Sequence, residues 1–203
     1  GCEGGWCDAR LQTRLPGQWR ALPLAAEEVA LEPGVDAETA YIQFSSGTTL
    51  EPRATRLSHA NLAHNLEAIA RQLPGRRSSH SCVSWLPLYH DMGLIGGLLS
   101  ALAAPGDLVL LRPFQFAARP QGWLEALATS RATMTPAPNF ALTQVLDRVP
   151  ADLELDLSHL RLLLLGSETV RPEDLRRFYD RFRAHGLRWE ALVSTALSTA
   201  RCL

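Results

Sequence analysis

A Ser/Thr-rich loop is the first stretch of this sequence that could do chemistry. Residues 44–53 read Phe-Ser-Ser-Gly-Thr-Thr-Leu-Glu-Pro-Arg, between a predicted strand and a predicted helix. Small hydroxyl residues around a glycine let backbone N–H groups approach an anion, and the arginine adds positive charge. The loop therefore suits a triphosphate, although a plain Ser/Thr turn explains the same residues. A Walker-type loop is excluded because no Gly-Lys-Ser/Thr follows the glycine.

A histidine-containing run follows the next predicted strand. Residues 85–97 read Trp-Leu-Pro-Leu-Tyr-His-Asp-Met-Gly-Leu-Ile-Gly-Gly. Pro87 ends the strand, Asp91 can cap the next helix, and the glycines let that helix lie close to a ligand or a neighbouring element. His90 alone is compatible with a structural role or with a place in a ligand site.

Two further strand ends carry polar residues. Residues 132–141 read Ala-Thr-Met-Thr-Pro-Ala-Pro-Asn-Phe-Ala, and residues 165–171 read Leu-Gly-Ser-Glu-Thr-Val-Arg. Asn139 could cap a helix, and a capped helix start can also border a cleft at the carboxyl ends of strands. The second segment is also explained by a plain strand-to-helix turn.

In their order and spacing these four blocks resemble the adenylate-forming superfamily of acyl-CoA synthetases, peptide-synthetase adenylation domains and fatty acyl-AMP ligases. The loop at 44–59 follows the superfamily's phosphate-loop pattern, except that Leu50 replaces a glycine and Arg53 replaces a lysine. The His90-Asp91-Met92-Gly93 run is most similar to the fatty acyl-AMP ligases. This resemblance covers residues 41–171.

The resemblance implies roles for individual residues. ATP would be bound by a set of loop residues that comprises Ser45, Ser46, Gly47, Thr48, Thr49, Arg53, Gly166, Ser167 and Glu168. The acyl side would be lined by a second set that comprises His90, Asp91, Pro138, Asn139 and Phe140, with His90 as the catalytic residue beside the acyl-adenylate. The implied cofactors are ATP and Mg²⁺, with no metal ligand assigned. The implied substrate is a fatty acid, and the implied acyl acceptor is an acyl carrier protein or coenzyme A.

Two departures from the family pattern shape the functional expectation. Residues 195–199 read Thr-Ala-Leu-Ser-Thr where the family has Tyr-Gly-Leu-Ala/Ser-Glu, and the chain contains no lysine, the residue type that the family uses on the reacting carboxylate. We therefore expect a fragment of an acyl-AMP ligase that is inactive alone, with a divergent or frameshifted tail at 194–203. The alternatives are a non-catalytic binding or interaction remnant and a fragment of a fatty acyl-CoA synthetase.

A serine hydrolase that uses His90 and Asp91 is a further alternative. It is disfavoured because the sequence has no Gly-x-Ser-x-Gly elbow. Adjacent His and Asp residues are also expected to be poorly placed for a relay, in which each must face a different partner.

The elements that position these blocks alternate between short apolar strands and helices. Strands are predicted near Trp19 and at 41–44, 82–85, 108–111, 132–135 and 162–165, and helices at 58–73, 92–102, 119–129, 139–148 and 172–184. Strands separated by helices predict parallel pairing and an α/β layered domain. We expect an irregular lead-in at 1–39 and a partial AMP-binding domain at 40–193.

Composition excludes several other classes of protein. The formal net charge of −1 and the absence of a basic cluster argue against a nucleic-acid partner. Four cysteines without a Cys-x-x-Cys pair indicate a reduced, cytoplasmic protein without structural zinc. The sequence has no 18-residue apolar run, so no transmembrane segment is expected.

Overall fold

The computed structural model describes residues 4–7, 18–21, 38–44, 54–72, 80–103 and 107–194. The chain divides into two compact units, Gly1–Ala37 and Glu38–Leu203. In the first unit, β1 (Gly4–Cys7) pairs in parallel with β2 (Gln18–Ala21). The strand expected near Trp19 is β2, whereas β1 lies in a stretch that we expected to be irregular.

An antiparallel hairpin opens the second unit. β3 (Thr39–Phe44) pairs with β4 (Ala54–Ser58), and α1 (His59–Gln72) follows directly. We predicted a helix directly after the loop and parallel pairing throughout, so β4 and the antiparallel hairpin correct both expectations. In β4 the exposed Ala54 and Arg56 alternate with the less exposed Thr55 and Leu57, which is the period of a half-buried strand. The hairpin brackets residues 45–53, which lie outside the described part.

Five parallel strands form the main sheet. Their order across the sheet is β6 (Leu108–Leu110), β5 (Cys82–Ser84), β7 (Met134–Ala137), β8 (Leu162–Leu165) and β9 (Leu192–Ser194). The predicted α/β layered class is therefore confirmed. β8 has the predicted bounds, β7 begins two residues later than predicted, and β9 was not predicted.

Helices connect these strands. Between β5 and β6 the chain forms a π-helix (Met92–Leu99) that continues into α2 (Ser100–Ala103). The remaining helices are α3 (Pro113–Ala118), α4 (Gln121–Thr129), α5 (Asn139–Arg148) and α6 (Pro172–Phe182), with 3₁₀ turns at Arg183–His185 and Trp189–Ala191. The bounds of α5 are those predicted, and α6 has the predicted proline at its first position. α3 was not predicted, and the helix expected at 92–102 is mostly π-helical.

Both faces of the sheet are buried. Cys82, Met134, Leu162 and Leu164 form one apolar cluster with Ala101 of α2, on the face that carries the π-helix. The intervening residues, such as Val83 and Leu163, belong to a larger cluster built with α4, α5 and α6 through Trp123, Leu142, Phe178 and Phe182. Burial on both faces explains why β8 is an unbroken run of four leucines rather than an alternating pattern.

The strand order creates a switch point between β5 and β7. From β5 the chain moves outward to β6, then returns past β5 to β7 and continues in the opposite direction. In open parallel sheets, ligands bind outside the carboxyl ends of the strands at such a point.

No helix among the residues described here is long and apolar enough to span a bilayer.

Candidate functional site

A cleft of about 490 Å³ lies at the carboxyl edge of the sheet. Its walls come from segments that follow the ends of β5, β6, β7 and β8, so the cleft occupies the switch point. The lining residues are Trp85, Leu86, Pro87, His90, Met92, Pro113, Phe114, Phe116, Ala117, Pro138, Phe140, Ser167 and Glu168. This volume and mostly apolar lining are typical of a small-molecule site.

Aromatic side chains form one wall of the cleft. The rings of Trp85 and Phe116 stack with centroids 3.8 Å apart and an interplanar angle of 4°. Phe140 meets Trp85 edge-on, with centroids 5.9 Å apart. Phe140 and Phe114 keep 43% and 61% of their surface exposed, so these two rings are available to a ligand.

A buried hydrogen-bond chain stabilises the strands behind this wall. The indole Nε1–H of Trp123 donates to Thr135 Oγ1 at 3.0 Å, and that hydroxyl donates to the carbonyl oxygen of Val83 at 2.7 Å. The chain thereby ties α4 to β7 and β5. The Trp123 ring also packs edge-on against Trp85, with centroids 6.4 Å apart. The aromatic wall is therefore held by α4 and by two strands.

The turn from β5 into the π-helix depends on glycine. His90 N–H donates to the Pro87 carbonyl oxygen at 3.1 Å, which closes the turn. A Cβ atom at Gly93 would overlap this same carbonyl oxygen, and one at Gly97 would lie 2.9 Å from Ser84 Oγ. The close approach that we expected from the glycines is therefore an approach to β5 and its following turn.

His90 and Asp91 form a pair at the edge of the cleft. His90 Nδ1 lies 2.8 Å from Asp91 Oδ1, and the same oxygen accepts the Met92 N–H at 2.7 Å. The prediction that Asp91 caps the following helix is confirmed. The two adjacent side chains contact each other because the turn folds both to the same side.

The turn after β8 has an unusual backbone conformation and forms hydrogen bonds with residues that are distant in the sequence. Ser167 has φ of 67°, in the left-handed region, and its hydroxyl lies 3.1 Å from Met92 Sδ. Glu168 Oε1 accepts the N–H of Phe140 at 2.6 Å, at the first turn of α5. Pro138 precedes this helix and offers no side-chain cap, so Glu168 supplies an acceptor for one of its unpaired N–H groups.

Two predicted site residues have mainly structural contacts. Asn139 is buried, donates from Nδ2 to Asp174 Oδ2 at 2.8 Å and accepts the Arg171 N–H at 3.0 Å. It therefore joins the start of α5 to the start of α6 and does not cap its own helix. Gly166 is also buried, and its N–H donates to the Ala137 carbonyl oxygen at 3.4 Å. Neither residue lines the cleft.

The cleft brings together five of the predicted site residues: His90, Pro138, Phe140, Ser167 and Glu168. Asp91 contacts His90 without lining the cleft. The predicted phosphate-binding residues Ser45, Ser46, Gly47, Thr48, Thr49 and Arg53 lie outside the described part of the chain. The sequence prediction missed the contribution of α3, which lines the cleft through Pro113, Phe114, Phe116 and Ala117. The available signal was a Pro-Phe-Gln-Phe segment that begins at Pro113, shortly after β6.

A magnesium site would need several oxygen ligands close together. Within the described residues, no group of three or more His, Cys, Asp and Glu side chains could hold a metal ion. Glu168 Oε1, at the edge of the cleft, already accepts the Phe140 N–H. Such a site is therefore not formed by the described residues alone.

An α/β sheet whose switch point carries a ligand cleft, lined by residues of three of the four adenylate-type motifs, defines an adenylate-forming domain. The chain belongs to the AMP-binding enzyme family, whose model matches residues 9–191. It is 36% identical over 172 residues to 4-hydroxyphenylalkanoate adenylyltransferase of Mycobacterium marinum, which is 83% of this chain and 28% of that protein. It is 34% identical over 174 residues to the medium-chain-fatty-acid–[acyl-carrier-protein] ligase JamA of Moorena producens, which is 84% of this chain and 29% of that protein.

A solved structure supports the same relationship. The fatty acyl-adenylate ligase of L. pneumophila in complex with acyl adenylate and pyrophosphate superposes with a TM-score of 0.80 at 29% identity, over 94% of this chain and 35% of that one. The resemblance to fatty acyl-AMP ligases is confirmed. The chain spans less than a third of the length of the two curated relatives.

Proposed function

We propose that the protein forms an acyl-adenylate from ATP and a fatty or related carboxylic acid, and that this chain supplies the cleft that receives the acyl group. The observation that carries the proposal is the aromatic wall. Trp85, Phe114, Phe116 and Phe140 present an apolar surface at the switch point of the sheet. An alkyl or arylalkyl chain gains free energy by leaving water for such a surface.

The relatives support this class of substrate. One is named for a 4-hydroxyphenylalkanoate and another for a medium-chain fatty acid, and both groups are largely apolar with a carboxylate at one end. The polar residues of the cleft, His90, Ser167 and Glu168, are compatible with the adenylate end of the product. We assign His90 to the acyl-adenylate and the turn at 166–168 to the adenine.

The remaining components follow from the family resemblance. ATP phosphates would be held by Ser45, Ser46, Gly47, Thr48 and Thr49 together with Arg53, and Mg²⁺ would accompany the nucleotide. An acyl carrier protein is the favoured acceptor because JamA is named for one. Coenzyme A is the alternative acceptor, and it would make the protein an acyl-CoA synthetase.

A binding experiment tests the cleft assignment. A hydrolysis-resistant acyl sulfamoyl adenosine, with either an alkyl or a 4-hydroxyphenylalkyl tail, is titrated into the 203-residue chain by calorimetry. Phe140→Ala removes a cleft ring that is 43% exposed, and we expect affinity to fall about tenfold because the ligand loses an apolar contact. Trp189→Ala is the matched control, because that ring is 44% exposed and does not line the cleft.

The outcomes separate the competing functions. Equal affinities for the two variants would refute the acyl-cleft assignment, and no binding to the unmodified chain would refute the proposed function. ATP–pyrophosphate exchange measured beside the titration addresses the non-catalytic alternative. We expect no exchange from this chain alone, because it has no lysine to contact the reacting carboxylate. Exchange that depends on the chain would exclude a purely binding role.

A further inference from the structure

The His90–Asp91 contact determines where the imidazole carries its proton. A separation of 2.8 Å between Nδ1 and Oδ1 is a hydrogen-bond distance, whereas two facing lone pairs at that distance would repel. The Met92 N–H lies 2.7 Å from Asp91 Oδ1 and 3.3 Å from His90 Nδ1, so its better acceptor is the carboxylate. Asp91 Oδ1 thus accepts two hydrogens, one of which belongs to His90 Nδ1.

We propose that Asp91 is a positioning residue that fixes the proton of His90 on Nδ1 and leaves Nε2 as a hydrogen-bond acceptor for the ligand. A neutral imidazole has one donor and one acceptor nitrogen, so a hydrogen bond at one nitrogen sets the chemistry of the other. His90 Nε2 makes no hydrogen bond to any residue in the described part of the chain. The ligand group that it accepts from therefore carries a hydrogen, as the ribose hydroxyls and the adenine amino group of an acyl-adenylate do, and is not a bare carboxylate.

The backbone hydrogen bonds of His90 do not orient its imidazole ring, so that orientation depends on Asp91. His90 is held on both sides, because its N–H donates to Pro87 and its carbonyl oxygen accepts the Leu94 N–H at 2.9 Å. With the main chain fixed, the orientation of the ring depends on its side-chain partner. The side chain of Asp91 is only 17% exposed, against 49% for His90, so water competes poorly for the carboxylate.

The tautomer can be measured directly. In chain labelled with ¹⁵N at the imidazole nitrogens, His90→Gln identifies the His90 signals among those of the six histidines. At alkaline pH, where the neutral ring dominates, we expect a protonated-type shift at Nδ1 and an unprotonated-type shift at Nε2. Free histidine favours the opposite tautomer, so the expected result would not arise without a partner at Nδ1.

Two variants separate the orientation of His90 from the capping of the helix. Asp91→Ser keeps a residue type favoured at helix starts but is too short to reach Nδ1, so we expect the Nε2–H tautomer. Asp91→Asn keeps an acceptor oxygen, which the Met92 N–H holds on the correct side, so we expect the Nδ1–H tautomer to be retained. For the acyl sulfamoyl adenosine we expect about tenfold weaker binding in Asp91→Ser and near-normal binding in Asp91→Asn, by analogy with the loss seen when the partner of a metal-binding His is removed.

The tautomer measurement and the binding measurement test different parts of the proposal. An Nε2–H tautomer in the unmodified chain, or an unchanged tautomer in Asp91→Ser, would overturn the role of Asp91 whatever the ligand is. A changed tautomer with unchanged affinity would overturn the statement that Nε2 accepts from the ligand. This ligand part rests on the proposed function. If the unmodified chain shows the expected tautomer but binds no analogue, the proposed function fails while the orientation of His90 by Asp91 stands.

Discussion

Three glycines of the π-helix have different surroundings, so the same substitution to alanine has three different predicted costs. A Cβ atom at Gly93 would overlap the Pro87 carbonyl oxygen, which also accepts the His90 N–H. A Cβ atom at Gly96 would have its nearest neighbours 3.8 Å away, which is ordinary van der Waals contact. The sequence context is matched because Gly93 and Gly96 are three residues apart in the same helix.

The expected change in the free energy of unfolding depends on which atoms must move to make room for the new methyl group. At Gly93 the obstacle is backbone, so the helix or the turn has to shift, and we expect a loss of about 2–3 kcal/mol in the free energy of unfolding. At Gly97 the obstacle is the fully buried side chain of Ser84, whose Oγ and Cβ would lie 2.9 and 3.2 Å away, and we expect a loss of about 1–2 kcal/mol. At Gly96 alanine restricts the unfolded chain without a clash, so we expect a gain of about 0.5–1 kcal/mol.

Urea denaturation followed by circular dichroism measures all three variants against the unmodified chain. The slope of free energy against urea should be the same in each, so that midpoints report stability directly. The close packing of the helix on β5 would be refuted if Gly93→Ala were as stable as Gly96→Ala. A second readout is ligand binding, which we expect to weaken in Gly93→Ala because the displaced turn carries His90.

Three further predictions concern buried polar groups. Burial and the charge of Arg161 lower the pKa of His80 from its usual 6.5, so the unfolded chain takes up this proton first as pH falls. Stability should therefore decrease below about pH 6.5, and His80→Gln should reduce that decrease in urea titrations at pH 7.5 and pH 5. Burial raises the pKa of the Cys82 thiol to about 12, so in a variant whose other cysteines are serine, iodoacetamide at about pH 8 should label only unfolded chain. Asn139→Ala should cost about 2 kcal/mol by urea denaturation, because it leaves the buried Asp174 carboxylate a partner short, and an unchanged midpoint would contradict this role.

The parts of the fold that could be predicted are those with strong local signals. β8 is a run of four leucines, α5 begins after Ala-Pro, and α6 has a proline at its first position, so their starts follow from the chain itself. β9 and β4 could not be predicted in this way. β9 has only three residues and is defined by its pairing with β8, and β4 is defined by its pairing with β3 across the loop at 45–53. Long-range pairing is not visible in a local pattern.

The helix type was also beyond sequence reasoning. The run at 92–102 has the small and apolar residues of a packed helix, which predict an α-helix as readily as a π-helix. In the structure the Ser100 N–H reaches the Ile95 carbonyl oxygen, five residues earlier, and the Ser100 hydroxyl donates to the same oxygen at 2.6 Å. The wider turn accompanies the close packing of Gly93 and Gly97 on β5 and the turn that follows it. Short π-helical segments are frequent at functional sites, and this one begins beside His90.

The turn after β8 contains a residue with a strained backbone conformation, Ser167, and a residue that caps the start of α5, Glu168. Ser167 adopts a left-handed conformation that costs a non-glycine residue about 1–2 kcal/mol, and a carboxylate oxygen of Glu168 accepts an N–H from the first turn of α5. Because Phe140 carries the N–H that Glu168 accepts, the turn that the proposed function assigns to adenine and the ring that it assigns to the acyl group share one hydrogen bond. A shift of either segment would lengthen that bond and expose an unpaired helix N–H. This hydrogen bond joins the two halves of the cleft, which gives a physical reason for an acidic residue at position 168 that is independent of any contact with the nucleotide.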